Sequence, residues 1–191
     1  MWNMGTVTTS LLTFEEFERL PEHEEPGKRE LLDGELIEMP PAELEHARFS
    51  KLIYHLLLEA VASAHARGEA AELGEVFHET GYKLPGRAYV QPDVSVTHAA
   101  QAYAKYYNDA PAIAVEVISE SNTAREMEKK VALYFRHGAR EVWRVYRDPV
   151  QIVIHLPDDT SRTIRQGSLT TPLLPGFELR LADLEALIKR S

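Results

Sequence analysis

The segment Ala112-Ile-Ala-Val-Glu-Val-Ile-Ser119 constrains this chain more than any other. It is apolar on both faces except at Glu116, so it reads as a central strand covered on both sides. An acid in that setting is costly to bury unless it is paired or binds a cation. The strand therefore needs a partner for Glu116, or must leave it at a solvent-facing end.

The elements around it describe an α/β fold (α+β, a mixed sheet flanked by helices), not a regular doubly wound array. Thr13 and Glu16 have capping-box spacing and open a short helix carrying Phe14, Phe17 and Leu20. Asp33-Gly34 lies between two apolar-bearing runs and signals a hairpin, which Pro40-Pro41 ends. Helical spacing of apolar residues runs from Ala42 to Arg67. Strands are expected over Glu75–Leu84, Tyr89–Val96 and Ala112–Ser119, with a helical excursion between Thr97 and Ala110. Thr123–His137 reads as an amphipathic helix with a second capping box at Thr123 and Glu126. Glu141–Tyr146, Val150–Leu156 and Thr160–Gln166 read as further strands, and Leu181–Lys189 as a terminal helix. The 191 residues fit one domain, 1–191, with 1–27 a helical extension packed on it.

Composition narrows the chemistry. No cysteine is present, which excludes a disulfide framework, a thiolate metal site and a thiol nucleophile. No HxxxH or HExxH spacing, Gly-x-Ser-x-Gly elbow or phosphate-cradling glycine loop occurs. No apolar run reaches the ~18 residues of a membrane span, and residues 1–17 lack a basic n-region. The expectation is a cytoplasmic protein with no membrane partner. Lys and Arg number 21 against 30 Asp and Glu, a net charge of −9, which opposes a generic nucleic-acid coat.

Three residues carry the remaining chemistry. Asp93 follows Pro92 inside Val90-Gln-Pro-Asp-Val-Ser-Val96, and a proline there suggests a bend that aims the acid. Taken alone, Pro-Asp also marks a simple turn. Lys130 borders the apolar stripe Met127, Val131, Tyr134 and Phe135, whereas Lys129 shares a more solvated face with Glu126, Leu133 and Arg136. A snorkelling lysine is the plain alternative for Lys130. Two strand carboxylates suit a hard cation such as Mg²⁺ (or Mn²⁺), which polarises a phosphodiester and acidifies a water.

In the order ELLDGELIEM, His46, QPDVSV, VEVISESNT, KVALYFRHGAREVW and LLPGFEL, the chain resembles the Uma-two (Uma2) family of bacterial restriction-endonuclease-like proteins. That family is placed in the PD-(D/E)XK nuclease superfamily. The resemblance implies a restriction-endonuclease-like core and a Mg²⁺-dependent endonuclease, acting on DNA rather than RNA. It implies Asp93 and Glu116 as metal-binding carboxylates, with the Val117 carbonyl as a third ligand. The superfamily's lysine would fall at Ile118, so the resemblance moves it to Lys130 on the following helix. Glu30 and His46 match further family positions and are expected to line the same cleft; Glu75 and Glu79 are additional candidate acids.

Phosphate contacts would fall to Lys83, Arg87, Lys105, Arg125, Lys129 and Arg136. Cleaving both strands needs two sites, so a homodimer is expected. The alternative is a catalytically silent nuclease-fold protein that binds or regulates, which the acidity favours.

Overall fold

The computed structural model describes residues 11–21 and 27–188. Residues 1–10 and 22–26 of the expected extension, and Lys189 at the end of the terminal helix, lie outside these.

A six-stranded sheet forms the centre, in the order β10-β9-β8-β7-β6-β3. Its strands are β3 (Leu73–His78), β6 (Val94–His98), β7 (Ile113–Val117), β8 (Glu141–Arg147), β9 (Val150–His155) and β10 (Ser161–Ile164). Strands β7 and β8 run parallel, joined through helix α3 (Ala124–Arg136); the other neighbours are antiparallel. The Glu116 strand is thus central, and every residue of β7 is buried.

Alternation along β7 divides the core. Ile113, Val115 and Val117 face helix α2 (Leu44–Ala66) and helix α4 (Leu181–Ile188), joining Phe49, Ile53, Leu57, Trp143 and Leu184. Ala114 faces the other way, toward Leu133 and Tyr134 of α3. Glu116 shares that side by the same alternation.

A second, four-stranded sheet packs on the α3 side, in the order β2-β1-β5-β4. It comprises β1 (Lys28–Leu32), β2 (Glu35–Met39), β4 (Tyr82–Leu84) and β5 (Ala88–Val90). Strands β11 (Ser168–Leu169) and β12 (Leu179–Arg180) form a small separate pair. Leu32, Tyr82, Leu84 and Val90 fill the space beneath α3, and the Tyr82 hydroxyl donates to Ser95 Oγ (2.8 Å), tying the two sheets.

Three expectations need correction. Glu75–Leu84 is two strands, β3 and β4, in different sheets; Glu79 takes a left-handed φ of 51° between them. Tyr89–Val96 likewise divides into β5 and β6 at Gln91-Pro92-Asp93, where the chain passes from one sheet to the other. Thr97–Ala110 forms no helix beyond the end of β6. Ala100 has φ 54°, and the segment is anchored by its tyrosines: Tyr107 stacks on Tyr82, and Tyr106 meets Phe14 and Tyr89 edge-on.

Both capping boxes form, at Thr13/Glu16 on helix α1 (Phe14–Glu18) and at Thr123/Glu126 on α3. The Asp33-Gly34 hairpin also forms, with Leu32 opposite Glu35 and positive φ at both turn residues (51° and 90°). Gly34 is the knot of this region. Its N–H donates to the Arg87 carbonyl, and its carbonyl accepts the Leu12 N–H. A Cβ there would lie 3.0 Å from Leu11 Cβ and 3.2 Å from the Leu12 carbonyl oxygen. Gly34→Ala is therefore expected to destabilise the protein by more than ~1 kcal/mol, read as a lowered urea midpoint with unchanged slope.

Candidate functional site

The Pro92 bend places Asp93 where the two sheets diverge. In β6–β7, Val94 pairs with Val115 and Val96 with Ile113. Continuing that register would set Val117 opposite residue 92. Pro92 has no N–H, so the ladder offers nothing to the Val117 carbonyl. The Val117 N–H turns instead to Asp93 Oδ2, at 2.7 Å. The N–H and C=O of a strand residue leave on the same side, so the Val117 carbonyl points toward the Asp93 corner.

Asp93 is 2% exposed and richly bonded. Oδ1 accepts from Lys28 Nζ (3.0 Å), and Oδ2 lies 3.2 Å from His46 Nε2. Burial by itself would raise its pKa, but Lys28 and then His46 hold the carboxyl well below the usual range. Lys28, whose side chain is 23% exposed, also donates to the Gln91 carbonyl. Burial would depress its pKa, yet Asp93 and Glu30 hold the ammonium charged.

Glu116 lies in the second half of the cluster. Its Oε1 accepts from the Tyr134 hydroxyl (2.6 Å) and sits 2.7 Å from Lys130 Nζ. Lys130 also donates to Glu30 Oε1 at 2.9 Å, and that oxygen accepts the Gln91 N–H at 2.7 Å. Burial raises the Glu116 pKa, and Lys130 opposes that rise while Asp93 and Glu30 add to it. Lys130 is raised, because Glu116 and Glu30 outweigh its own burial. Tyr134 is raised well above the phenol range, by burial first and then by Glu116.

Asp93, Glu116, Lys130, Glu30 and His46 therefore converge. Asp93, Glu116, Val117 and His46 line a cleft of about 790 Å³. Glu30 and Lys130 stand behind the lining, 0% and 3% exposed. Glu79 reaches the cleft wall; exposed Glu75, on β3, is not part of it. On α3 the buried stripe is Met127, Lys130, Leu133 and Tyr134, so Lys130 is central to it and Leu133 is not solvated.

Two site residues escape the sequence reading. Lys28, which lines the cleft, lies two residues before Glu30, and strand alternation puts both on one face. Tyr134 lies one helical turn after Lys130. Both relations are visible in the sequence once Glu30 and Lys130 are paired.

The cluster sets three carboxylates, Asp93, Glu116 and Glu30, against two ammoniums, Lys28 and Lys130. Two buried atoms in it have no hydrogen-bond partner, Glu30 Oε2 and His46 Nδ1. Among the described residues no three His, Cys, Asp or Glu side chains are grouped to hold a metal ion. A cation here would rest on two carboxylates completed by backbone oxygen and water, a hard-oxygen set suited to Mg²⁺ or Mn²⁺. The residues fit such an ion.

Most of the expected phosphate contacts are paired with acids: Lys83 with Glu15, Lys105 with Glu18, Arg125 and Lys129 with Glu35, and Arg136 with Asp33. Among the described residues no helix is long and apolar enough to cross a membrane.

A model of the Uma2 family, described as "Putative restriction endonuclease", matches residues 14–182. In structure the chain is similar to "a putative nuclease belonging to DUF820" from Anabaena variabilis ATCC 29413. The TM-score is 0.78 at 19% sequence identity, over 93% of this chain and 99% of that one, which shows a shared mixed α/β fold. No curated protein matches the chain in sequence.

Removing the buried ammonium tests the cluster. Lys130→Met leaves Glu116 and Glu30 without their counter-charge and is expected to cost ~3–5 kcal/mol of stability at neutral pH. An acid whose folded pKa exceeds its unfolded value makes the native state bind more protons, so stability rises as pH falls. The variant's deficit against wild type should therefore shrink from pH 7 to pH 5, measured by urea denaturation across that range.

Proposed function

The chain belongs to the Uma2 family, and from that premise and the cleft together we propose a metal-dependent nuclease that hydrolyses phosphodiester bonds of nucleic acid, DNA before RNA. The observation that carries this reading is the placement of Asp93 and Glu116 on one cleft beside the Val117 carbonyl. Those three would hold Mg²⁺ or Mn²⁺. When bound, such an ion supplies Lewis acidity toward a phosphoryl oxygen and acidifies a water to serve as nucleophile at neutral pH.

The chain's own residues do the rest. Val117 N–H and His46 fix Asp93 Oδ2, so the carboxylate does not rotate freely. Tyr134 and Lys130 both take Glu116 Oε1, which orients the carboxylate with Oε2 left for the cleft. Lys130 is a positioning residue here, since it touches Glu30 and Glu116 but not the cleft. Lys28 is the ammonium that faces the substrate, where it would stabilise charge developing on the phosphoryl group. Work on nucleic acid fits a cytoplasmic location, and cleavage of both strands of a duplex would need paired copies of the site.

One observation favours a second reading, a silent binding or regulatory protein. Both carboxylates already carry an ammonium within 3.0 Å, so the ion pairs would serve as the finished structure.

Metal linkage separates the two. At a Mn²⁺ concentration of 100 times the dissociation constant, binding adds ~2.7 kcal/mol, or roughly 5–10 °C in Tm for a chain this size. Glu116→Gln and Asp93→Asn should each abolish the rise and the cleavage of DNA. A rise in Tm without cleavage of any single- or double-stranded substrate would favour the silent protein; no rise would sink the metal site.

A separate contrast tests the lysine roles. Lys28→Met should lower kcat by about 10²–10³-fold, the scale of losing one charge-stabilising group, while keeping the Mn²⁺-induced rise in Tm. Equal turnover in Lys28→Met and wild type would remove Lys28 from the mechanism.

A further inference from the structure

We infer that the cleft takes single-stranded nucleic acid, with an unpaired base held against an aromatic wall of Phe17, Tyr89 and Tyr106; this rests on the nuclease reading above. The wall is built, not incidental. All three rings line the cleft, with centroids 5.3 Å apart for Phe17–Tyr89 and 5.2 Å for Tyr89–Tyr106. They come from three separate segments: α1, β5 and the 99–110 loop. Burial, with Tyr106 and Glu30 adding to it, pushes the Tyr89 phenol up to about 12, so it stays neutral beside a substrate. Every base has a π-face, so such a wall binds unpaired bases without reading sequence.

Recess and rim argue against a duplex. The carboxylates at the floor are only 2% and 4% exposed. Helix α1 closes one side of the cleft, pinned by buried Phe14, by the Lys83 ammonium 4.1 Å from its ring centre, and by the Lys105–Glu18 ion pair at 2.6 Å. Pro40-Pro41, with φ fixed by their rings, contribute to the rim as well. A volume of about 790 Å³ is in the range of a single-ligand pocket. A strand end or an unpaired stretch can bring one phosphate to that floor; a phosphate held in a stacked duplex cannot.

Charge points the same way. Lining acids are Glu18, Glu43, Glu79, Asp93, Glu116 and Glu120, against Lys28, Arg29 and Lys105. Each of those cations is already bonded to an acid: Lys28 to Asp93, Arg29 to Glu38 and Lys105 to Glu18. B-DNA brings one negative charge per ~1.7 Å, and a single strand half that density. With each wall cation already committed to an acid, the cleft offers little of the distributed phosphate attraction a duplex relies on, and beyond the metal and Lys28 its affinity falls to stacking. A single-strand substrate also removes the need for paired copies of the site.

The test uses the full chain and two fluorescein-labelled probes, a hexathymidylate and a blunt 12-base-pair duplex. Binding is followed by anisotropy in Ca²⁺, an oxygen-seeking ion of looser geometry than Mg²⁺; cleavage is followed in Mn²⁺. The expected result is binding of the single strand at least about tenfold tighter than the duplex. Its dependence on log salt should be shallow, of magnitude below ~2, at ~0.7 for each phosphate neutralised. Tyr106→Ala and Phe17→Ala should each weaken it about 5- to 150-fold, whereas Tyr106→Phe, which keeps the ring, should not. Thermal melts of the variants identify any that fail to fold, and the comparison of probes on wild type needs no variant. Duplex bound or cut as well as the single strand would overturn this inference and leave the nuclease reading standing. Single-strand preference untouched by both alanine variants would overturn the aromatic wall. If neither probe is bound and neither is cut, the nuclease reading falls, and this inference with it.

Discussion

A lysine ammonium 3% exposed, held between Glu30 and Glu116, sets the terms for the rest of the molecule. Water cannot reach it, so its solvation has to come from those carboxylates. Each of the three groups is carried by a different element: Glu30 by β1, Glu116 by β7 and Lys130 by α3. Shifting any one by a residue would carry an unpaired charge into the core or turn it outward. The ion pairs therefore fix how the small sheet and α3 sit on the large sheet, more tightly than the apolar packing of Leu32, Tyr82 and Tyr134 would do by volume alone. Lys130 opposes the rise that burial imposes on the Glu116 pKa, without cancelling it.

The second constraint is a missing hydrogen. Pro92 withholds the N–H that would have met the Val117 carbonyl, while the Asp93 carboxylate takes the Val117 N–H, where a continued ladder would offer the residue-92 carbonyl. One residue type thus ends the ladder, turns the chain toward another sheet and leaves a backbone carbonyl without a ladder donor. A strand interruption and a candidate ligand set are here one feature.

Much of this was legible from the amino acids. The burial of Glu116 followed from its apolar neighbours, and the bend at Pro92 from the proline's missing donor. Both capping boxes and the Asp33-Gly34 turn formed because their chemistry is local and was satisfied by residues a few positions away. Errors arose where tertiary contacts decide. Glu75–Leu84 and Tyr89–Val96 each have continuous strand composition, and nothing in a single run of residues says that its halves serve two sheets. Thr97–Ala110 reads as a helical excursion because its tyrosines have no partners nearby in sequence; in the fold Tyr106 and Tyr107 rest on Phe14, Phe77, Tyr82 and Tyr89. The Lys28 ion pair has no local signature, because its partner Asp93 lies 65 positions away.

The corner at residues 91–93 has one further consequence. Lys28 and Glu30 ride on the small sheet, Glu116 on the large one, and Asp93 sits on the seam between them. A slight rocking of one sheet against the other changes the spacing of all four charges at once, with Lys130 as the fulcrum. Leu84 and Ala88, on strands that contribute no charged group to the site, share one apolar cluster with Tyr134, the donor to Glu116, so repacking there reaches a site carboxylate. In such an arrangement the fit of the charges is a measure of the angle between two sheets.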